Sequence, residues 1–397
     1  MKTLITGGPL FDGTRLYDQG SLLIENGIIR EVFQKQVTIA GATCIHTQGD
    51  LIMPGIVDLH SDSLERSIEK RKGVFFDIEF AILNLDRQLA GCGITSFCHA
   101  ISFADNELGL RSPREATRCV RSIKAFQTSG QALIKHHTHL RYEVGSEISF
   151  HLIKALVDEG LVDMISIMDH TPGQGQFKSM ESYMRFHTDE YDLSLNEIVA
   201  KATEKRENNH LAWALVADLA QIVTAAGIPI LSHDDDTEDK IHLIEAMGVS
   251  ACEFPVTMAA AKRAKQLGLS LFMGAPNLVR DASTNGNLKA SDLLKEGLCT
   301  GLVSDYYPES LVQASFMAAI YTGLETALST VTSGPGAFLN TPTRPGFLIP
   351  DADADIIIVN QDHTWAHITL SLVAGRIIYQ VEKPPYSSQT PKLLKGA

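Results

Sequence analysis

Between residues 54 and 344 the chain alternates short apolar runs with longer amphipathic or loop-like stretches. Eight runs read as strands: GIVDLHSD, GITSFCHA, ALIKHHTHLRYE, VDMISIMDH, IPILSHDD, SACEFPV, LSLFMGAPN and TGLVSDYYP. They are rich in Ile, Val, Leu and Phe and are short, as buried strands are. Stretches at 78–91, 112–129, 149–160, 196–226 and 238–247 follow as helical or loop segments. Eight strand–helix units predict an α/β fold, a (β/α)8 TIM-like barrel. A doubly wound sheet is the alternative. It would carry a Gly-rich phosphate turn after its first strand, and none is present.

The two ends have a different texture. LITGGPLFDG, GSLLIENGIIREVF and TCIHT at the start, and ADIIIVNQ and HITLSLVAGRIIYQV near the finish, are β-branched runs broken by turn residues. Both ends are therefore expected to build one small β-sandwich domain from residues 1–53 and 345–381, with the barrel at 54–344. The Pro-, Ser- and Lys-containing stretch 382–397 reads as an extended tail.

Composition narrows the function classes. The 397 residues are 44% hydrophobic and 20% charged, with a net charge of −13. That balance argues against a nucleic-acid partner or an anionic membrane surface, but leaves a small anionic substrate open, since a pocket can be locally basic. No apolar run approaches the roughly 20 residues of a membrane span. The opening MKTLITGGPLFDGT lacks a secretory pattern. The six cysteines are scattered without a CxxC pair. A cytoplasmic location with reduced thiols is the expectation. Oligomeric state is left open, a homo-oligomer included.

Candidate chemistry collects at the strand ends. The first barrel strand ends in His60 and Asp62, which project to the same side at i, i+2 and could together grip a divalent cation. Glu143 ends the third strand, His170 the fourth and His233 the fifth; the sixth carries Glu253 and the eighth ends in Asp305. A single such residue is more often a hydrogen-bonded core group or a helix cap. In a barrel these ends share one face, where active sites sit. Their coincidence there favours metal binding. His136, His137 and His139 read as packing or support, His99 as structural, and Tyr306 and Tyr307 as pocket or packing residues.

The split β-domain, the PGIVDLHSD strand, the strand-three carboxylate, the later histidines and the strand-eight Asp resemble the amidohydrolase superfamily. Within it, PGIVDLHSDSLE, HLRYEV, SIMDHTPGQGQF, LSHDDDT, EFPVT, MGAPNLVR and VSDYYP are similar to PhnM. These are the diphosphatases of the carbon–phosphorus lyase pathway that act on α-D-ribose 1-methylphosphonate 5-triphosphate. The resemblance covers roughly residues 50–340. It implies a metal centre of His60, Asp62, Glu143, His170 and His233, with Glu143 bridging two cations. Asp305 beside them would accept a proton from the attacking water and pass it to the leaving group. One or two divalent ions are implied, zinc foremost, with manganese or iron also suited to mixed N and O ligands.

Phosphoanhydride hydrolysis also needs positive charge on the transferring oxygens. Arg66 and Arg71 follow the first strand, Arg141 shares a strand face with Glu143, and Arg280 follows MGAPN. These four are the expected substrate contacts for a small phosphorylated substrate, although Glu65 and Glu69 make a solvated helix face an alternative for 66–72. Two positions depart from the PhnM pattern: Gly175 stands where an Arg is usual, and Asp281 adds a negative charge after NLVR. Attack on an amide, cyclic amide or amidine carbon is the rival reaction, and a non-catalytic binding protein on the same barrel is the third reading.

Overall fold

The computed structural model describes residues 2–104, 109–171, 175, 203, 209–283, 286–339, 341–361 and 365–382. The N-terminal strands are β1 (Lys2–Phe11), β2 (Leu16–Glu25), β3 (Ile28–Phe33), β4 (Thr43–His46) and β5 (Leu51–Pro54). After β6 (Ile56–Ser61) comes a small hairpin of β7 (Glu69–Arg71) and β8 (Val74–Phe75). Then follow β9 (Ile94–Phe103), β10 (Lys135–Glu143), β11 (Met164–Met168), β12 (Ile230–His233), β13 (Ala251–Glu253), β14 (Ser270–Gly274) and β15 (Gly301–Val303). The last strands are β16 (Ile356–Asn360), β17 (His367–Val373) and β18 (Arg376–Gln380).

Each of the eight apolar runs contains one strand of a parallel sheet ordered β15-β14-β13-β12-β11-β10-β9-β6. A parallel bridge between Ser61 and Asp305 joins its two edges, giving the expected (β/α)8 barrel. The runs are nearly continuous in hydrophobicity because both faces are covered. Val57, Leu59, Cys98, Met164, Leu231, Ala251, Phe272 and Val303 fill the inside. On the outside Phe97, Ile101, Leu140 and Ile165 meet helix residues such as Leu85, Val120 and Ile153. Helices at Ile78–Gly91, Pro113–Thr128, Glu147–Asp158 and Glu238–Glu245 lie where helical or loop segments were expected. The helix Asn209–Ala225 covers the later part of the expected 196–226; residues 196–208, Thr203 apart, are outside the described residues. Asp77 and Thr237 start two of these helices by accepting from the Phe80 and Lys240 amides.

The chain ends form one continuous sheet, β18-β17-β16-β5-β1-β2-β3, with β4 also on β1. Its core includes Ile5, Leu22, Ile24, Ile29, Ile52, Ile356, Ile358 and Leu370. Only Gly55 separates β5 from β6, and a Cβ there would come within 2.1 Å of Thr95 Oγ1. Glycine is what allows the two sheets to join so abruptly. Lys135 at the start of β10 fastens the same junction, 2.7 Å from both Asp353 and Asp355. Residues 383–397 of the expected tail lie outside the described residues. No helix among the described residues is long and apolar enough to cross a membrane.

Candidate metal centre

β6 does not run regularly to its end. Asp58 faces Phe97 on β9 while Ser61 faces His99, so three steps on β6 are set against two on its neighbour. Such an irregularity re-aims the residues beyond it. Leu59 points into the barrel core, yet His60 also reaches the interior, stacked 5.4 Å from the His233 ring and edge-on to His139. His60 Nε2 lies 3.7 Å from Asp62 Oδ1. Asp305 is held against this turn by its backbone. Its amide donates to the His60 carbonyl at 3.0 Å, and its own carbonyl accepts from the Asp62 amide at 2.5 Å. Ser61 Oγ donates to the same carbonyl at 2.9 Å.

Glu253 stands at the centre of the histidines. It is fully buried; Oε1 is 3.0 Å from His60 Nδ1, and Oε2 is 3.5 Å from His233 Nδ1 and 3.8 Å from His139 Nε2. A carboxylate only accepts, so His60 carries its proton on Nδ1. Arg141 Nη2 lies 3.3 Å from His233 Nε2, and a guanidinium only donates, so His233 likewise has Nδ1 protonated. Arg141 Nη1 donates to Asp62 Oδ1 at 2.9 Å. The result is a closed ring: His60, Glu253, His233, Arg141, Asp62 and back to His60. His139 sits below it, donating from Nδ1 to the Leu59 carbonyl at 2.8 Å.

This proton placement tests whether the residues suit a cation. His60, Asp62 and Asp305 each offer one ligand atom, and these lie within 4.8 Å of one another. With His60 protonated on Nδ1, all three atoms are acceptors facing one another. A divalent ion fits that donor set. The local electrostatics agree. Burial disfavours a charged His60, yet Glu253 and Asp62 outweigh it and raise its pKa. Burial, reinforced by Asp62, pushes the Asp305 carboxyl up to about 7. Burial also opposes ionisation of Asp62 and Glu253, but Arg141 and His60 lower the first, and His60 and His139 hold the second well below the usual range. The pocket is electron-rich and favours positive charge. His60, His233 and Glu253 form a second such group, in which the imidazole protons already face the carboxylate.

The other expected residues are placed as follows. Glu143 and His170 form a pair: Oε2 is 2.8 Å from His170 Nδ1, and Oε1 accepts from the His170 amide at 3.2 Å. Among the described residues, neither joins a group of three potential ligands within 4.8 Å. Arg141 is 7% exposed and engaged with Asp62 and His233. Arg66 and Arg280, exposed in the last turns of the short helices Ser63–Ile68 and Ala275–Arg280 that follow β6 and β14, converge on Tyr306. The Arg66 guanidinium lies 5.2 Å over its ring, and Arg280 Nη1 donates to its hydroxyl at 3.2 Å. Arg71 lies exposed on the β7–β8 hairpin and takes part in neither contact. Gly175 has a φ of +56°, and its amide donates to Asp236 at 2.9 Å; its immediate neighbours 172–174 and 176–177 lie outside the described residues. Asp281 faces Lys289, 3.4 Å away, which offsets its charge. Glu253 and Tyr306 are the residues that sequence reasoning underweighted. A strand-end Glu in CEFPV was the available signal for the first.

Against known proteins, the chain is 31% identical over 359 residues to the α-D-ribose 1-methylphosphonate 5-triphosphate diphosphatase of Escherichia coli K12, covering 88% of this chain and 93% of that one. The chain belongs to the amidohydrolase superfamily, close to PhnM. It is also 24% identical to a dihydroorotase of Syntrophus aciditrophicus, over 96% of this chain and 100% of that one. Among solved structures, the N-acetyl-D-glucosamine-6-phosphate deacetylase of Mycobacterium smegmatis superposes with a TM-score of 0.63 at 15% identity, covering 95% of this chain and 100% of that one. That likeness shows the superfamily's barrel fold. No family model matches the chain.

Proposed function

We propose that this amidohydrolase-superfamily enzyme is a metal-dependent diphosphatase that cleaves a ribosyl 5-triphosphate, with α-D-ribose 1-methylphosphonate 5-triphosphate as the substrate. The observation that carries this reading is the convergence of Arg66 and Arg280 on Tyr306, the residue next to Asp305. Two guanidiniums gathered from separate short helices beyond the strand ends suit a polyanion better than a neutral amide. The 31% identity to a diphosphatase of that substrate supports the same choice. Lys289 beside Asp281 removes one objection to phosphate there.

A bound divalent ion, with zinc the proposed metal, supplies a lowered pKa for the attacking water and polarisation of a phosphoryl oxygen. His60, Asp62 and Asp305 face the space it would fill, with Glu143, His170 and His233 as the further ligands that the family pattern suggests. Glu253 fixes the His60 tautomer, so that Nε2 is turned inward. Asp305, with its carboxyl near neutrality, takes the water proton and returns it to the leaving oxygen. Arg66 and Arg280 hold the outer phosphoryl groups and draw off developing charge. A second reading, hydrolysis of a cyclic amide, is favoured by the dihydroorotase similarity across nearly the whole chain.

The deciding assay offers the zinc-loaded protein a 5-triphosphorylated ribose alongside cyclic and acylated amides. Diphosphate release from the first is expected. Arg66→Ala and Arg280→Ala should each raise KM by about 10-fold, the scale of one lost charge-assisted hydrogen bond. Turnover confined to the amides would leave the fold and metals in place and refute the substrate.

A further inference from the structure

The barrel closes less regularly than it is built. Every other neighbouring pair of its strands shares a ladder of at least three residue pairs. β14 and β15, for instance, run in register from Phe272–Gly301 to Gly274–Val303. Among the described residues, β6 meets the end of β15 through the single bridge between Ser61 and Asp305. Yet the atoms suited to a cation come from both sides of this seam, His60 and Asp62 from one and Asp305 from the other. Their spacing therefore depends on which side chains cross it.

Asp58 crosses it. This residue lies on β6 two positions before His60 and is fully buried. Its Oδ1 accepts from the Ser304 amide at 3.0 Å and, more loosely, from the His60 amide at 3.4 Å. One oxygen thus ties the backbone at His60 to the backbone just before Asp305. The Ser304 hydroxyl adds a second tie, donating to Ser61 Oγ at 2.8 Å, and Ser61 Oγ donates to the Asp305 carbonyl at 2.9 Å. The backbone held in this way is one that needs holding. Asp305 has a φ of +57°, which a non-glycine residue keeps only where its surroundings fix it. In a dry interior a lost acceptor is not replaced by water, so Asp58 has no substitute at the seam.

Resting on the metal-dependent reading of this site, we propose that Asp58 is a positioning residue for the cation. By holding the Ser304 and His60 amides on one oxygen, it sets how far His60 and Asp62 stand from Asp305, and so the geometry in which the three meet an ion. The role requires an acceptor at Oδ1. It requires neither a charge there nor contact with the ion.

The test titrates metal-free protein with cobalt(II), whose visible absorption bands report the arrangement of atoms around it. Asp58→Asn keeps the acceptor and should give the native bands and affinity. Asp58→Leu is of similar size without the acceptor. It should shift the bands and bind cobalt more weakly by on the order of 10-fold, the scale of one lost hydrogen bond to a buried group; circular dichroism checks its fold. A merely structural role would lower the melting temperature and leave the bands in place. A folded Asp58→Leu with native bands and affinity, or Asp58→Asn without them, would overturn the proposal while leaving the metal-dependent reading intact. If Asp58→Leu does not fold, a crystal structure of the cobalt-loaded native chain decides. Both amides on Asp58 Oδ1, with the ion at His60, Asp62 and Asp305, is the expected result. A carboxylate released from the Ser304 amide, or bound to the ion, would overturn the proposal. A native chain that takes up no cobalt would overturn the metal-dependent reading itself, and the proposal with it.

Discussion

Asp305 combines two features that rarely meet in one residue. Its φ is +57° in the left-handed region, a conformation that costs a non-glycine residue. Its carboxyl is also held near neutrality, at about 7, by burial and Asp62. Asp234 and Phe254, directly after His233 and Glu253, share the left-handed backbone, with φ of 55° and 52°. Three strand ends thus turn sharply beside the candidate metal centre. If Asp305 carries the proton, Asp305→Asn should keep the turn and lower kcat by on the order of 10²-fold or more. Steady-state kinetics on the metal-loaded variant check this; near-native turnover would assign Asp305 to the backbone staple alone. At this scale the sequence was only partly legible. A polar residue interrupting an apolar run is visible, and so His60, Asp62 and Asp305 stood out. Which carboxylate meets three histidines depends in part on neighbours far away in the chain, as the 193-residue separation of His60 and Glu253 illustrates.

β10 shows how one strand distributes roles by height. His139, Arg141 and Glu143 alternate onto its inner face and meet, in turn, the buried Glu253, the Asp62–His233 gap and His170. The same alternation sends His136 outward, to His99 and Asp86 beneath the helices. Period-2 reasoning recovers this division. The irregularity in β6 was not legible, since nothing in IVDLHS marks the register shift that lets both Leu59 and His60 reach the interior. The short helices that carry Arg66 and Arg280 give a test of the arginine pair. Tyr306→Ala removes both the ring under Arg66 and the hydroxyl that accepts from Arg280. It should raise KM for the triphosphate at least as much as either arginine variant. Tyr306→Phe keeps the ring and should fall between it and the native enzyme. Equal KM values across the set would separate this cluster from substrate binding.

The whole molecule carries an acid liability in its barrel wall. His99 is fully buried, with Nε2 2.8 Å from His136 Nδ1, and burial together with His136 and His137 holds its pKa well below the ordinary value. Unfolding would restore a pKa of about 6.5. The unfolded chain therefore binds the extra proton, and stability is full above that pH and lost as pH falls below it. His139, lowered to about 4 mainly by burial, adds the same sign. Each such group steepens the loss by up to about 1.4 kcal/mol per pH unit. Asp305, raised to about 7, acts with the opposite sign in this range, so the effect is read by difference. Between about pH 6.5 and 5 the native chain should lose melting temperature relative to His99→Gln, whose slope should be flatter. A variant with an unchanged slope would show that His99 is not the titrating group.

The barrel was legible at this scale because eight buried parallel strands leave eight apolar runs, and the end sheet because β-branched runs recur at both termini. The closure between first and last barrel strands has a consequence for the order of events in the cell. Ser61 and Ser304, whose hydroxyls meet at 2.8 Å, are 243 residues apart. The acceptors flanking them, His60 and Asp62 on one side and Asp305 on the other, cannot face one another until nearly the whole barrel has been synthesised. A nascent chain still on the ribosome can display His60 and Asp62 but has no finished pocket in which to trap a metal. On the metal-dependent reading, loading is thereby deferred to the completed protein, and a prematurely terminated chain has no such pocket with which to sequester the ion.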